Sequence, residues 1–268
     1  MAHDHLADHL ADLRRSRYSA ATLGARERTI RSIPGDPLTA DREAIRAWWR
    51  SRQYRPDGTP RAASSLSQDA SHLRAYGRWA MQQGLSDRNP GDWLPRVRQS
   101  KPAPTPVPER DLHLLLDRAP LDMRRAIALA AMAGLRSAEI AAITWADLDP
   151  GNGVLWVRAG KGGKGRSVPL SAGLLGALGD PSEGPIVGRV MTPKALSLWI
   201  GRYMRAQGVD YSAHKLRARY ATRFLAATGD LAAAAEALGH SDLSSIGRYV
   251  VASSDTMRRG AEAAGRIG

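Results

Sequence analysis

The amino-acid sequence predicts a two-domain protein of class α+β, mainly α with one small β-sheet or hairpin confined to the second domain. Three observations carry that expectation. A Pro-rich stretch at 96–108, RVRQSKPAPTPVP, has neither helical nor strand periodicity and reads as an extended linker. On both sides of it, amphipathic segments recur between capping residues and glycine stops. Beyond it, two short β-like runs bracket a tip of glycine and lysine. The chain has 268 residues, 43% of them hydrophobic, which is enough for two ordinary domains with buried cores.

The first domain, residues 1–95, reads as helices. They are expected over His9 to Arg17, from near Tyr18, over Thr39 to Arg52, over Ala63 to Gln83, and briefly near Trp93. Thr39 is the expected N-cap of DREAIRAWWR, with Arg42 and Glu43 in the first turn, and Gly84 is the stop after RWAMQQ. Four or five such helices make a small all-α module. The local duplication DHLADHLADL has no heptad spacing, and its His3, His5 and His9 read as part of a solvated terminus, so no metal site is expected there.

The second domain, 109–268, begins with PERDLHLLLDRAP, a helix stopped by Pro120. LDMRRAIALAAMAG follows, with an apolar stripe through Ile127, Leu129, Ala130 and Met132 and a stop at Gly134. Gly153 to Arg158 (GVLWVR) and Arg166 to Leu170 (RSVPL) form the expected hairpin around KGGKG. Further helices are expected over Thr192 to Gln207, His214 to Thr228, Leu231 to Leu238, and Asp242 to about Ala252.

Charge narrows the partner. The net charge is +13 with a pI near 10.8, which favours a polyanion, nucleic acid first. The excess is shared: 15 basic and 11 acidic residues up to Pro95, then 24 and 15 beyond it. No apolar run is long enough to span a membrane and the N-terminus has no signal-peptide core, so a cytoplasmic protein is expected. The absence of cysteine excludes disulfides, cysteine nucleophiles and thiolate metal sites. The tip fails the Walker pattern, because Arg158 stands where its first glycine belongs and Gly165 replaces Ser or Thr. No nucleotide, metal or other cofactor is expected.

Six residues stand in an order suited to chemistry on a phosphodiester: Arg136, Lys161, His214, Arg217, His240 and Tyr249. Two arginines can hold non-bridging oxygens, lysine and histidines can supply protons and hydrogen bonds, and a tyrosine hydroxyl can attack phosphorus. Arg136 falls between the Gly134 stop and an expected N-cap at Ser137, with Glu139 three residues on to brace its guanidinium. Alone, that segment reads slightly better as an ordinary surface Arg–Glu pair near a helix junction. The glycine-rich tip would bring Lys161, Lys164 and Arg166 beside a DNA strand, one lysine acting as general acid at a leaving 5′ oxygen. His214 and Arg217 share one helix face. Of seven tyrosines, Tyr249 is the one that follows Leu238-Gly239-His240 by nine residues.

AGLRSAEI, GKGGKGRSVPL, HKLRARYAT and LGHSDLSSIGRYV together resemble the boxes of the tyrosine recombinases, the phage integrase and Xer-like family, over about residues 105 to 255. The resemblance implies a two-domain clamp on double-stranded DNA. In it, Arg136 and Arg217 hold the phosphate, Lys161 is the general acid, His214 orients or transfers a proton, His240 donates to the phosphate and Tyr249 is the nucleophile. Lys164 is a rival to Lys161. The chain departs from the family pattern at Ala218 and Arg219, and its N-terminal region has room for one module, with none left for arm-site binding. The resemblance further implies a homo-tetramer on DNA and strand exchange through a 3′-phosphotyrosyl intermediate and a Holliday junction. Integration of a phage or other mobile element leads. An Xer-like dimer-resolving enzyme, a non-catalytic DNA-binding regulator and a type IB topoisomerase are the alternatives. A directionality factor or a DNA-bending host protein as partner is left open.

Overall fold

A computed structural model of the protein describes residues 4–98, 105–158 and 165–239. The chain divides into two compact units, Met1–Lys101 and Pro102–Gly268. Among the described residues no helix is long and apolar enough to cross a membrane.

The first unit holds α1 (His5–Arg15), α2 (Ala20–Arg31), α3 (Arg42–Ser51), α4 (Ala63–Gln82) and a 3₁₀ turn over Pro90–Trp93. α1 begins four residues before the expected start, because the Asp4 carboxylate accepts from the Ala7 amide and caps it. α3 is capped by Asp41 rather than Thr39. The Asp41 carboxylate accepts from the Ala44 amide at 2.8 Å and adds negative charge at the helix N-terminus. Thr39 lies in the preceding turn and donates to the Asp36 carbonyl. The core gathers Leu6, Leu10, Leu23, Ile30, Ile45, Trp48, Trp49, Leu73 and Tyr76, with α4 packed on both α1 and α2.

The second unit runs α5 (Glu109–Arg118), α6 (Leu121–Met132), α7 (Ser137–Ala142), a 3₁₀ turn over Trp145–Asp147, β1 (Leu148–Asp149), β2 (Val154–Val157) and β3 (Arg166–Pro169). It continues with α8 (Ala172–Leu178), α9 (Pro193–Ala206), α10 (Ala213–Thr228) and α11 (Leu231–Leu238). The sheet is antiparallel in the order β1-β2-β3, with Leu148 opposite Leu155 and Val157 opposite Arg166. The helix-rich α+β architecture with one small sheet is the predicted one, and the sheet has a third strand that sequence reading missed.

α6 corrects the expected stripe. Met123 and every residue from Arg125 to Ala131 are buried, because α5, α8 and α10 all pack on it. A helix buried on every side over two turns lies within the core, and the charged residue in that stretch, Arg125, donates from Nε to the Leu178 carbonyl at 2.8 Å. Each fully buried Leu or Ile on it contributes about 1.5–3 kcal/mol. α6 ends at Met132, and Gly134 just beyond it, with a φ of +66°, reverses the chain into α7.

Candidate active site

Of the six residues singled out, Arg136, His214 and Arg217 lie within the described segments, and the fold brings them together. They line one cleft of about 250 Å³ with Ser137, Ile140 and Ser197. Arg136 stands at the start of α7, and His214 and Arg217 are one turn apart on α10. Lys161, Lys164, His240, Tyr249 and the expected helix from Asp242 lie outside the described residues.

Arg136 is itself the N-cap of α7, in extended backbone, and Ser137 is the first helical residue. The expected hydroxyl cap at Ser137 is replaced by Glu139, whose Oε2 accepts from the Arg136 amide at 2.7 Å. Its Oε1 accepts from Arg136 Nη1 at 2.9 Å. One carboxylate thus fixes both the backbone and the guanidinium of Arg136. Arg136 Nη2 donates to the Gly239 carbonyl at 3.0 Å, and the side chain stays 27% exposed, open toward the cleft.

Arg217 is buried. Its Nη1 donates to the Gly134 carbonyl, its Nη2 to the Leu238 carbonyl at 2.6 Å, and Nη1 lies 3.7 Å from Glu139 Oε2. The guanidinium therefore joins the end of α6 to the end of α11. His214, one turn earlier, is exposed at the N-terminal end of α10.

Arg166 overturns an expectation. A hairpin cation reaching for DNA was predicted, yet its side chain is only 6% exposed and turns inward. Nη1 and Nη2 donate to Glu139 Oε1 and Oε2 at 2.8 and 2.9 Å, and Nε donates to the Ala237 carbonyl at 2.9 Å. The reason is strand alternation. Arg166 and Val168 share the inward face of β3, and Val168 is fully buried. That alternation was the sequence signal available for it, although nothing local names Glu139 as its partner.

Glu139 is the centre of the arrangement, its side chain 2% exposed and surrounded by Arg136, Arg166 and Arg217. Burial alone would raise its pKa. The hydrogen bonds from Arg166 and from the Arg136 amide, with the charges of both arginines, outweigh burial and lower it to about 2. The carboxylate is thus ionised at any working pH. Three guanidinium groups against one carboxylate leave a net positive site beside the cleft, suited to a phosphate held by two arginines.

Comparison with known proteins gives a consistent picture. Residues 110–255 match the model of the phage integrase family. The chain is 32% identical over 219 residues to tyrosine recombinase XerC of Shewanella amazonensis, covering 74% of this chain and 73% of that one. Its fold is similar to that of a lambda integrase(75-356) dimer bound to a COC′ core site, with a TM-score of 0.73 at 19% identity over 92% of this chain and 94% of that one. It is likewise similar to a lambda integrase tetramer bound to a Holliday junction, with a TM-score of 0.71 at 19% identity over 91% of this chain and 76% of that one.

Proposed function

The chain belongs to the phage integrase family of tyrosine recombinases, and from that premise we propose that it integrates the DNA of a phage or other mobile element. As a member of that family it is a DNA strand-transferring enzyme. The observation that carries the site reading is the convergence of Arg136, His214 and Arg217 on one cleft, with Glu139 holding the arginines.

In the proposed reaction the Tyr249 oxygen attacks a phosphodiester. The bond from phosphorus to the 5′ oxygen breaks, and a 3′-phosphotyrosyl ester forms. Lys161 supplies the proton to the leaving 5′ oxygen. Arg136 and Arg217 neutralise charge growing on the non-bridging oxygens, a kind of contribution worth about 10²–10³ in rate per preorganised donor. His240 adds a hydrogen bond to the phosphate, and His214 orients the group or moves a proton. The freed 5′ hydroxyl then attacks the phosphotyrosine of a partner strand, forming a new phosphodiester as the bond from phosphorus to the tyrosine oxygen breaks and Tyr249 leaves as its hydroxyl. The ester conserves the bond energy, so the cycle needs no ATP.

We take residues 1–95 as the DNA-binding module, 96–108 as the linker and 109–268 as the catalytic domain. The protein works in the cytoplasm on double-stranded DNA sites, as a tetramer in strand exchange. That assembly is supported by the likeness to an integrase solved as a tetramer on a Holliday junction. A directionality factor or DNA-bending protein belongs to the same reading. The similarity to XerC favours a second one, an Xer-like recombinase that resolves dimers.

The test is trapping on nicked suicide duplexes tiled across the DNA flanking the gene, comparing wild type with Tyr249→Phe on a denaturing gel. A covalent band from wild type alone is expected. A band that persists in Tyr249→Phe moves the nucleophile elsewhere, and specific binding without any band favours a non-catalytic regulator. Phage genes and an attachment site at the mapped cleavage position support integration, whereas a cleavage site with neither supports dimer resolution.

A further inference from the structure

Arg166 is the first residue of β3, and the segment that joins β3 to β2 contains Lys161 and Lys164 in its sequence. Its guanidinium makes three bonds, which end on two different parts of the site. Two reach the paired oxygens of Glu139, in the parallel fork that a carboxylate and a guanidinium form best. The third reaches the carbonyl of Ala237 in the last turn of α11, the helix that leads directly to His240 in the sequence.

The packing around this guanidinium is close. Gly239 has a φ of +60°, and a Cβ placed there would fall 2.8 Å from Arg166 Nη1 and 3.2 Å from its Cδ and Cζ. A side chain at 239 would therefore displace Arg166, so the glycine serves the arginine as well as the helix end. With Arg166 in place, Glu139 holds Arg136 from its amide and its Nη1, and lies 3.7 Å from Arg217.

We propose that Arg166 is a positioning residue of the catalytic site: by binding both oxygens of Glu139 and the carbonyl of Ala237, it sets how Arg136 and Arg217 are presented to the phosphate and ties β3 to the end of α11. This rests on the recombinase reading of the cleft. It differs from a DNA contact, because Arg166 acts through Glu139 and its own charge is consumed inside the protein. It also differs from simple core filling, because the state of Glu139 depends on it. Without Arg166, the carboxylate keeps the Arg136 amide and guanidinium and the more distant Arg217, yet stays desolvated, and its affinity for a proton rises. A protonated Glu139 loses its charge-assisted hold on Arg136. The charged groups facing Glu139 are Arg136 from α7, Arg166 from β3 and Arg217 from α10, and Tyr220 of α10 feels both Arg166 and Arg217.

The experiment uses the full chain and the tiled nicked duplexes, measuring single-turnover adduct formation from pH 5.0 to 8.5 and the Kd for the same duplex. Arg166→Gln is expected to bind DNA within about three-fold of wild type and to form adduct about 100-fold more slowly, the size of one lost preorganised donor. Its rate should also fall further below pH 6, where the wild-type to Glu139→Gln ratio stays flat. Arg166→Lys, which keeps the charge and loses the fork, should recover about ten-fold of the loss. If Arg166→Gln does not fold, Arg166→Lys carries the test, with a rate about ten-fold below wild type at unchanged Kd expected. Equal losses in rate and Kd with no movement in pH dependence would make Arg166 a direct DNA contact and overturn the proposal, as would a wild-type rate in either variant. Wild type that binds a tile specifically and forms no adduct on it would overturn the catalytic reading of the cleft, and the proposal with it.

Discussion

Replacing Gly134 by alanine should destabilise the second unit and misplace Arg217 at once. Gly134 has a φ of +66°, where an L side chain costs about 1–2 kcal/mol. A Cβ there would also sit 2.5 Å from Cδ1 and 2.9 Å from Cε1 of the Tyr220 ring, so the ring or the turn must move, an overpacking cost of about 1–3 kcal/mol. The Gly134 carbonyl accepts from Arg217 Nη1, so movement of the turn is transmitted to the site. Gly153 supplies the internal control, with a φ of +67° and nothing within 4 Å of the added Cβ. Gly153→Ala therefore reports the backbone cost alone, about 1 kcal/mol, and Gly134→Ala should lose about 2–4 kcal/mol. Thermal unfolding of the full chain measures both, at roughly 2–4 °C per kcal/mol for a domain of this size. In the trapping assay Gly134→Ala should lose adduct rate more than DNA affinity, while Gly153→Ala changes neither. Equal Tm losses for the two alanines would refute the reasoning, because the contact with Tyr220 would then carry no energy.

Two further predictions concern the first unit. His9 is buried between Tyr76 and Trp79 with neither ring nitrogen hydrogen-bonded, and burial, with Arg26 nearby acting in the same direction and Asp12 against it, lowers its pKa to about 4. The unfolded chain takes up this proton near pH 6.5, so the stability His9 contributes is complete above that value. It is lost as pH falls toward 4, up to about 3 kcal/mol. His9→Phe should remove that part of the pH dependence between 7 and 4 in urea titrations, and an unchanged slope would show that His9 does not supply it. Asp69 is buried and accepts from Arg52 Nε and Nη2, Arg61 Nη1 and Thr29 Oγ1. Asp69→Ala should cost about 2–4 kcal/mol, near the value for breaking a buried pair but moderated by the partial exposure of Arg52. A loss below 1 kcal/mol, read from the urea midpoint, would mean that water replaces the carboxylate.

Much of the helical framework was legible before folding. The residues of α4, α9, α10 and α11 follow from apolar periodicity with flanking caps and glycines, because helix bonds join residues four apart and their signals are local. The shortest elements were not legible. β1 has two residues, and α8 has seven, two of them glycine, so neither carries enough periodicity to announce itself. α8 exists because Leu174 and Leu178 find the core beside α6, which is a fact about distant residues. The caps of α3 and α7 were missed for a related reason: several neighbouring residues can cap, and geometry chooses among them.

The site divides in the same way. The kinds and order of Arg136, Lys161, His214, Arg217, His240 and Tyr249 are properties of the chain as written, and they sufficed to point to phosphodiester chemistry. That Glu139 would receive a second guanidinium from 27 residues away, that Arg217 would hold a carbonyl 83 residues back, and that Arg166 would turn from DNA toward Ala237, 71 residues on, had no counterpart in any local pattern. Sequence determines what each residue can donate, accept or bury. Only the packing of α7, α10, α11 and β3 decides which partner stands within 3 Å, and a buried charge stays where its partners are because the alternative is to remain desolvated and unpaired.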